Sequence, residues 1–243
     1  MKLNCDLGEG FGSWKMGLDD QVMPYIDQAN IACGFHAGDP DVMAHTLAMA
    51  VEHGVEIGAH PGYPDMQGFG RRSIPMTTDQ IIHCLHYQVG ALGALAAAQG
   101  ARLSYVKPHG ALYNDMIKDD AICDAVFAAL ACYPQPLTLM MLATGDATHY
   151  RNKAEQYGIE LYLEAFADRR YTEHGYLTPR SEEGAVLDDE QTLEQVQSLF
   201  SKGVVVAADG SELPLNADTL CVHGDNPHAV AMVKRIRELL SSL

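Results

Sequence analysis

Apolar, strand-like runs alternate with amphipathic helical segments along the whole chain. The strand-like runs are KLNCDL, ANIACGF, VEIGAH, LSYVKP, LTLMML, IELYLEAF, GVVVAA and TLCVHG. Helical patterns lie between most of them. In DPDVMAHTLAMAVEHG, Asp39 is the predicted N-cap, Pro40 the first helical residue and Gly54 the glycine that ends the helix. Strands that alternate with helices in this way indicate a parallel α/β fold.

The number of repeats narrows the fold further. Seven or eight strand–helix units favour a closed (β/α) barrel, with an open doubly wound sheet as the alternative. The stretch GVVVAADGSELPL breaks the pattern, because Asp209-Gly210 between two short runs predicts a β-hairpin near residues 203–215. No linker-like stretch interrupts the chain, so we expect one domain over residues 1–243, folded as an irregular (β/α)7-type barrel.

Composition excludes several classes of function. The 243 residues carry a formal net charge of −16, which argues against nucleic acids and anionic membrane surfaces as partners. We find neither a signal-peptide start nor an apolar stretch that we expect to span a bilayer. The six cysteines form no C-x-x-C pair, and a reduced, cytoplasmic protein fits best. A P-loop is also missing, so any nucleotide is bound in another way.

A histidine within two residues of a glycine recurs after four different strands. The four are His36 in GFHAG, His60 in GAHPG, His109 in KPHGA and His223 in CVHGD. In a parallel barrel the carboxyl ends of all strands open on one rim, so we expect these residues to meet there. The neighbouring glycines let the chain turn sharply and let a ligand approach the backbone.

Charged residues follow the same strand ends, and together with the histidines they could transfer protons on an amide or lactam. These residues are Asp6, Glu9, Glu164, Asp168 and Asp225, with Arg71, Lys107 and Arg169 as cations. Taken singly, each has a structural interpretation, such as a turn cap, a solvated loop charge or half of a buried ion pair. The recurrence over independent loops favours a shared site.

The sequence leaves open whether the chain binds a divalent metal. Asp6, His36 and His60 would be its ligands, since three-ligand catalytic sites use such residues. However, no H-E-x-x-H or similarly tight spacing occurs in the chain.

Six ordered motifs resemble one known family over nearly the whole chain. They are LNCDLGEGFG, ANIACGFHAGDP, GAHPGYPD with GFGRR, VKPHGALYN, EAFADRRY and TLCVHGDNP, and they are similar to the LamB/YcsF family, also known as the family of the 5-oxoprolinase A subunit. The resemblance implies a seven-stranded barrel of the glycoside hydrolase/deacetylase type. It also implies ATP-dependent opening of the lactam ring of 5-oxo-L-proline to L-glutamate, together with separate subunits B and C.

We assign roles to the rim residues on this basis. The predicted catalytic residues are Asp6, Glu9, His36, His60, Lys107, His109 and Asp168, and the predicted substrate-binding residues are Arg71, Arg169, His223 and Asp225. Asp6 or His36 would be the general base, Lys107 and His109 would stabilise negative charge, and Arg169 would hold the substrate carboxylate.

Two other functions stay open. One is a stand-alone metal-dependent amidohydrolase or deacetylase, and the other is a non-catalytic lactam-binding subunit. Whether ATP binds to this chain or to a partner is likewise undecided by the sequence.

Overall fold

Seven parallel strands close into a barrel in a computed structural model that describes residues 1–180, 182–224 and 226–242. The strands are β1 (Lys2–Leu7), β2 (Gln28–Ala32), β3 (Glu56–His60), β4 (Tyr105–Val106), β5 (Thr138–Leu142), β6 (Leu161–Phe166), β7 (Val204–Val206), β8 (Glu212–Pro214) and β9 (Thr219–Val222). The barrel order is β1-β2-β3-β4-β5-β6-β9, and β1 pairs with β9 to close it. The predicted seven-stranded α/β barrel is therefore confirmed.

Helices cover the outside of the barrel. Within the described residues they are α1 (Asp19–Val22), α2 (Pro40–His53), α3 (Thr78–Ala98), α4 (Gly110–Lys118), α5 (Asp120–Ala131), α6 (Thr148–Tyr157), α7 (Asp189–Lys202) and α8 (Pro227–Ser242). The start of α2 is as predicted: the Asp39 carboxylate accepts hydrogen bonds from the Asp41 and Val42 amides, and Gly54 ends the helix in the left-handed conformation.

The irregular repeat is the predicted hairpin. Strands β7 and β8 pair antiparallel and form a two-stranded sheet apart from the barrel. This sheet lies between α7 and the last barrel strand along the chain. The barrel therefore closes with β6 next to β9, and the hairpin is an insertion before β9.

Helix α3 is the only element of the described residues that is long and apolar enough, by length and composition, to cross a membrane. Its buried residues, including Ile81, Leu85, Val89 and Leu92, recur at helical spacing. They belong to the same hydrophobic core as residues of α5. The core helix of a barrel passes the same length test, so this finding is weak evidence for a membrane span.

The interior of the barrel is polar, which is unusual for a core. Side chains at alternate positions of a strand share one face, and the buried Asn4, Gln28, Asn30, Lys107 and Glu164 fall on the faces that meet inside. These groups satisfy one another: Asn30 Nδ2 lies 2.8 Å from Asn4 Oδ1, and Asn4 Nδ2 lies 2.9 Å from Thr219 Oγ1. The apolar faces of the strands pack outward against the helices.

Gly58 makes room for the largest of these interior side chains. A Cβ atom at this position would overlap the ring of Tyr105, which is fully buried and donates its hydroxyl proton to Asn30 Oδ1 at 2.7 Å. A glycine on β3 therefore lets the Tyr105 ring lie across the barrel interior.

We expect Gly58→Ala to lower the free energy of unfolding by about 1–3 kcal/mol, because the Tyr105 ring cannot move without losing its buried hydrogen bond. Urea denaturation measures the change. Gly90→Ala in α3 is the matched control, since its Cβ meets no atom within 4 Å, and it should be neutral or slightly stabilising. Equal stability of Gly58→Ala and the wild type would contradict this packing.

Candidate functional site

Three of the four predicted histidines meet at the carboxyl-terminal mouth of the barrel. His60 is the last residue of β3, His109 immediately precedes α4, and His36 lies in the loop after β2. The rings of His36 and His109 stack in parallel, with centroids 3.7 Å apart. The His60 ring stands perpendicular to both. All three residues are buried.

Glu9 joins the three imidazoles. Its Oε1 atom lies 3.2 Å from His36 Nε2 and 3.5 Å from His109 Nδ1. We call Glu9, His36, His60 and His109 the histidine cluster. One potential ligand atom from each of these four residues lies within 4.8 Å of the others.

Glycines bring the backbone close to the histidine cluster. A Cβ at Gly70 would come within 2.8 Å of His36 Cβ and 2.7 Å of His109 Cδ2, and one at Gly62 would lie 3.1 Å from His36 Nδ1. These glycines belong to the segment between β3 and α3, which covers the stacked rings. The sequence pattern of histidine beside glycine therefore reflects close packing of loops on the rings as well as turning of the chain.

Phe69 orients His109 from the same segment. It has φ of 53°, the only positive value at a non-glycine position among the described residues. The left-handed conformation is costly for a bulky side chain, and such strain tends to occur at functional sites. Its carbonyl oxygen lies 2.8 Å from His109 Nε2, which must therefore donate the hydrogen bond.

A charged group lies beneath the histidine cluster. The Lys107 ammonium forms ion pairs with Asp6 at 2.9 Å and with Glu164 at 2.7 Å. Tyr113 donates a hydrogen bond to the second oxygen of Glu164 at 2.8 Å. Asp6 Oδ2 faces His60 Nε2 at 3.4 Å, which links this group to the histidine cluster. Asp6, Lys107 and Glu164 are named the ion-pair triad below.

Burial and charge set the protonation of these groups in opposite directions. Burial would raise the pKa of Asp6, but the charges of His60 and Lys107 outweigh it and hold this pKa well below its usual range. Burial alone would lower the pKa of Lys107, yet Asp6, Cys221 and Glu164 raise it well above the usual value. The Asp6 carboxyl and the Lys107 amine therefore stay charged near neutral pH.

For two of the histidines, burial and charge both lower the pKa. Burial, followed by the charges of the other two imidazoles, lowers the pKa of His109 to about 2. Burial and the charge of His60 also bring the pKa of His36 well below its usual range. Both rings are therefore neutral at physiological pH, and each keeps one nitrogen lone pair.

Two other predicted residues of the rim, His223 and Asp168, pair with each other. His223 Nδ1 pairs with Asp168 Oδ2 at 2.9 Å on the part of the rim formed by β6 and β9. Burial raises the pKa of Asp168, but the facing His223 outweighs it and the net pKa is lowered. Asp225 lies outside the described residues.

The two predicted substrate arginines differ in availability. The buried Arg169 guanidinium donates to the carbonyl oxygens of Thr178 at 2.6 Å and Ala185 at 3.3 Å, so it braces the loop after β6. Arg71 is exposed, and its guanidinium lies over the Phe69 ring at 5.3 Å from the centroid. Arg71 is therefore better placed than Arg169 to meet an anionic ligand at the histidine cluster.

Sequence reasoning missed several residues of the site. Asn4, Asn30 and Tyr113 received no role, although an asparagine inside an apolar strand is a signal that can be read from LNCDL and ANIACGF. Asp19 was also missed. It accepts a hydrogen bond from the Gly8 amide at 2.8 Å, and burial raises its pKa to about 6. A small cavity is lined by Asp19, Asp6 and Glu9.

We expect Lys107→Met to lower the free energy of unfolding by about 3–5 kcal/mol, because it leaves buried carboxylates without their cation. Adding Glu164→Gln should recover at least about 1 kcal/mol, since the two residues contact each other. Chemical denaturation of the two single variants and the double variant measures this coupling. Strictly additive losses would contradict the ion pair.

The same variant has a pH signature. The pKa of Lys107 is raised in the folded state. Its stabilising effect is therefore fully present below the unfolded-state pKa of about 10.4 and is lost as the pH rises through the folded-state pKa. The stability difference between wild type and Lys107→Met should therefore be constant near neutral pH and should shrink above about pH 10.5. A difference that grows with alkaline pH would contradict the direction of the shift.

The family match and the individual relatives of this chain agree with each other. Residues 1–243 match the LamB/YcsF family. The chain is 55% identical to the 5-oxoprolinase A subunit of Vibrio parahaemolyticus over 243 residues, covering 100% of this chain and 96% of the relative. It is 54% identical over 240 residues to a protein of the same name in Pseudomonas fluorescens, covering 98% and 96% of the two chains.

A solved structure shares the fold. The lactam utilization protein from Thermus thermophilus superimposes with a TM-score of 0.92 at 38% identity, over 100% of this chain and 96% of the other. The family match and the relatives cover the whole length, including every loop that supplies the histidine cluster and the ion-pair triad. The chain is a member of the LamB/YcsF family.

Proposed function

We propose that this chain is the A subunit of an ATP-dependent 5-oxoprolinase, which opens the lactam ring of 5-oxo-L-proline to give L-glutamate together with subunits B and C. The observation that carries the proposal is the convergence of imidazole, carboxylate and ammonium groups from separate strand ends at one mouth. The names of relatives that are more than half identical support the same substrate class.

The chemistry of the substrate explains the need for ATP. A five-membered lactam is a resonance-stabilised amide with a weakly electrophilic carbonyl carbon, and its opening is uphill near neutral pH. Transfer of the terminal phosphoryl group of ATP to the lactam oxygen releases ADP and makes that carbon reactive. Water then adds, the C–N bond breaks with protonation of nitrogen, and a second water releases phosphate from the acyl phosphate to leave glutamate.

Asp6 is the residue of this chain best placed for proton transfer. One carboxylate oxygen is fixed by Lys107 at 2.9 Å and Asn30 at 2.8 Å, while the other faces His60 at 3.4 Å. Asp6 also lines the small cavity next to Glu9. A carboxylate that has one oxygen fixed and lies beside a cavity has the positioning that general acid–base catalysis requires.

Lys107 has an electrostatic role in this proposal. Its ammonium keeps Asp6 ionised and contributes positive charge below the reacting group. Glu164 and Tyr113 position Lys107 from the other side. Arg71, on the exposed rim, would attract the substrate carboxylate.

Reconstitution with subunits B and C tests the proposal. With 5-oxo-L-proline and ATP, the complete mixture should form glutamate and ADP, and each single omission should abolish glutamate formation. Asp6→Asn and Lys107→Met should lower turnover at least about 100-fold, the effect expected for loss of a general acid–base group or an electrostatic group. The matched control is His53→Gln, an exposed histidine at the carboxyl end of α2, which should retain full turnover.

Other outcomes identify the competing functions. Glutamate formation by this chain alone, without ATP, would indicate the stand-alone amidohydrolase, which the histidine cluster makes the second candidate. Full turnover in Asp6→Asn and Lys107→Met complexes, with 5-oxoproline still bound, would indicate a non-catalytic binding subunit. The first result would refute the proposal, and the second would refute the catalytic roles of Asp6 and Lys107.

A further inference from the structure

The outer nitrogens of two histidines are fixed by backbone carbonyls. His60 Nδ1 lies 2.7 Å from the Lys107 carbonyl oxygen, and His109 Nε2 lies 2.8 Å from the Phe69 carbonyl oxygen. A carbonyl oxygen can only accept a hydrogen bond, so both of these nitrogens carry protons. When both rings are neutral, the lone pairs therefore lie on His60 Nε2 and His109 Nδ1.

These two lone-pair atoms face each other at 2.9 Å. Two acceptors at this separation repel each other unless a cation lies between or beside them. A histidine that binds a metal through one ring nitrogen usually donates its other N–H to a backbone carbonyl or a carboxylate. The tautomers of His60 and His109 are thus set for binding a cation.

Glu9 supplies an anionic oxygen to the same point. Its Oε1 lies 3.5 Å from His109 Nδ1. Ligand atoms about 2.0–2.1 Å from a zinc ion, separated by tetrahedral or right angles, lie about 2.9–3.4 Å apart. The separations of 2.9 Å and 3.5 Å in this cluster are close to that range.

His36 has a different place in the cluster. Its ring lies parallel to that of His109, within 1°, so their in-plane lone pairs cannot converge on one ion. Its Nε2 lies 3.2 Å from Glu9 Oε1, and because a carboxylate only accepts, Nε2 carries the proton. His36 therefore orients Glu9 by donating a hydrogen bond.

The local charge also favours a cation. Asp6, Glu9 and Glu164 contribute three carboxylates, whereas Lys107 contributes one ammonium group within this buried region. A divalent ion would neutralise this excess of negative charge and so reduce the repulsion of an anionic substrate.

We propose that Glu9, His60 and His109 bind one divalent transition-metal ion of the zinc class, with His36 as the positioning residue for Glu9. Two imidazoles and one carboxylate form a three-ligand set of the kind found in catalytic zinc sites, which keep a further position open. This set differs from Asp6, His36 and His60, because the parallel ring of His36 cannot share an ion with His109, and the Asp6 carboxylate pairs with Lys107. A bound ion would supply a Lewis acid to an oxygen of the substrate or of water.

Metal binding by the untagged chain, stripped with a chelator and then reloaded, tests this proposal. Elemental analysis should find one Zn²⁺ per chain, and Co²⁺ should give the visible absorption of a four- or five-coordinate site. Competition with a chromophoric chelator should show that Glu9→Gln, His60→Ala and His109→Ala each weaken Zn²⁺ binding at least about 100-fold. His36→Phe, which keeps a stacked ring but removes the donor, should weaken it about 10–100-fold.

Two controls separate this result from general histidine binding and from misfolding. His53→Gln and His223→Gln should leave Zn²⁺ affinity unchanged. In the wild-type chain, Co²⁺ should shift the ring resonances of His60 and His109 in NMR spectra and leave those of His53 unaffected, which needs no variant to fold.

Failure to bind Zn²⁺ or Co²⁺ stoichiometrically would overturn the proposal, as would unchanged affinity in a folded Glu9→Gln variant. A shared N–H proton between His60 and His109 that persists in the presence of saturating metal would also overturn it. The readout is metal content, so it can succeed or fail independently of ATP-dependent ring opening.

Discussion

The ion-pair triad inside the barrel is the interaction on which the rest of the site depends. Lys107 contacts Asp6 and Glu164 from strands on different sides of the interior, and all three would be costly to bury singly. Asn30 donates a hydrogen bond to Asp6, Tyr113 donates one to Glu164, and Tyr105 in turn donates to Asn30. Because these groups fill the barrel, its interior has less apolar packing, but the charged side chains at its mouth are held in fixed positions. The histidine cluster rests on these side chains through the contact of Asp6 with His60.

The architecture could be predicted from the sequence because its signals are local. Helix caps such as Asp39, glycines that end helices and the Asp209-Gly210 turn each act over a few residues, and the family motifs run in order along the whole chain. The barrel closure and the hairpin near residues 203–215 followed from these signals. The length of β4, only two residues, did not, since the apolar run LSYVKP is longer than the part that pairs.

The site was predicted less completely, because its contacts join residues far apart in sequence. Histidine near glycine correctly placed His36, His60 and His109 at one mouth, whereas the pairing of His223 with Asp168 could not be predicted from the same pattern. The position of an arginine in a loop does not reveal the direction of its guanidinium. Arg169 therefore could not be predicted to donate to backbone carbonyls. Asn4, Asn30 and Tyr113 matter only through partners on other strands. The tautomers depend on two carbonyls, including that of the left-handed Phe69, which no local pattern predicts.

The central claim is that groups from separate strand ends act on one ligand at one mouth. Titration of the isotopically labelled chain with 5-oxo-L-proline, followed through the histidine ring resonances, tests it most directly. We predict that the signals of His36, His60 and His109 shift together with a single dissociation constant, while those of the exposed His45 and His53 stay in place. Saturation that leaves all three cluster signals unchanged, or that moves them with different dissociation constants, would contradict the claim.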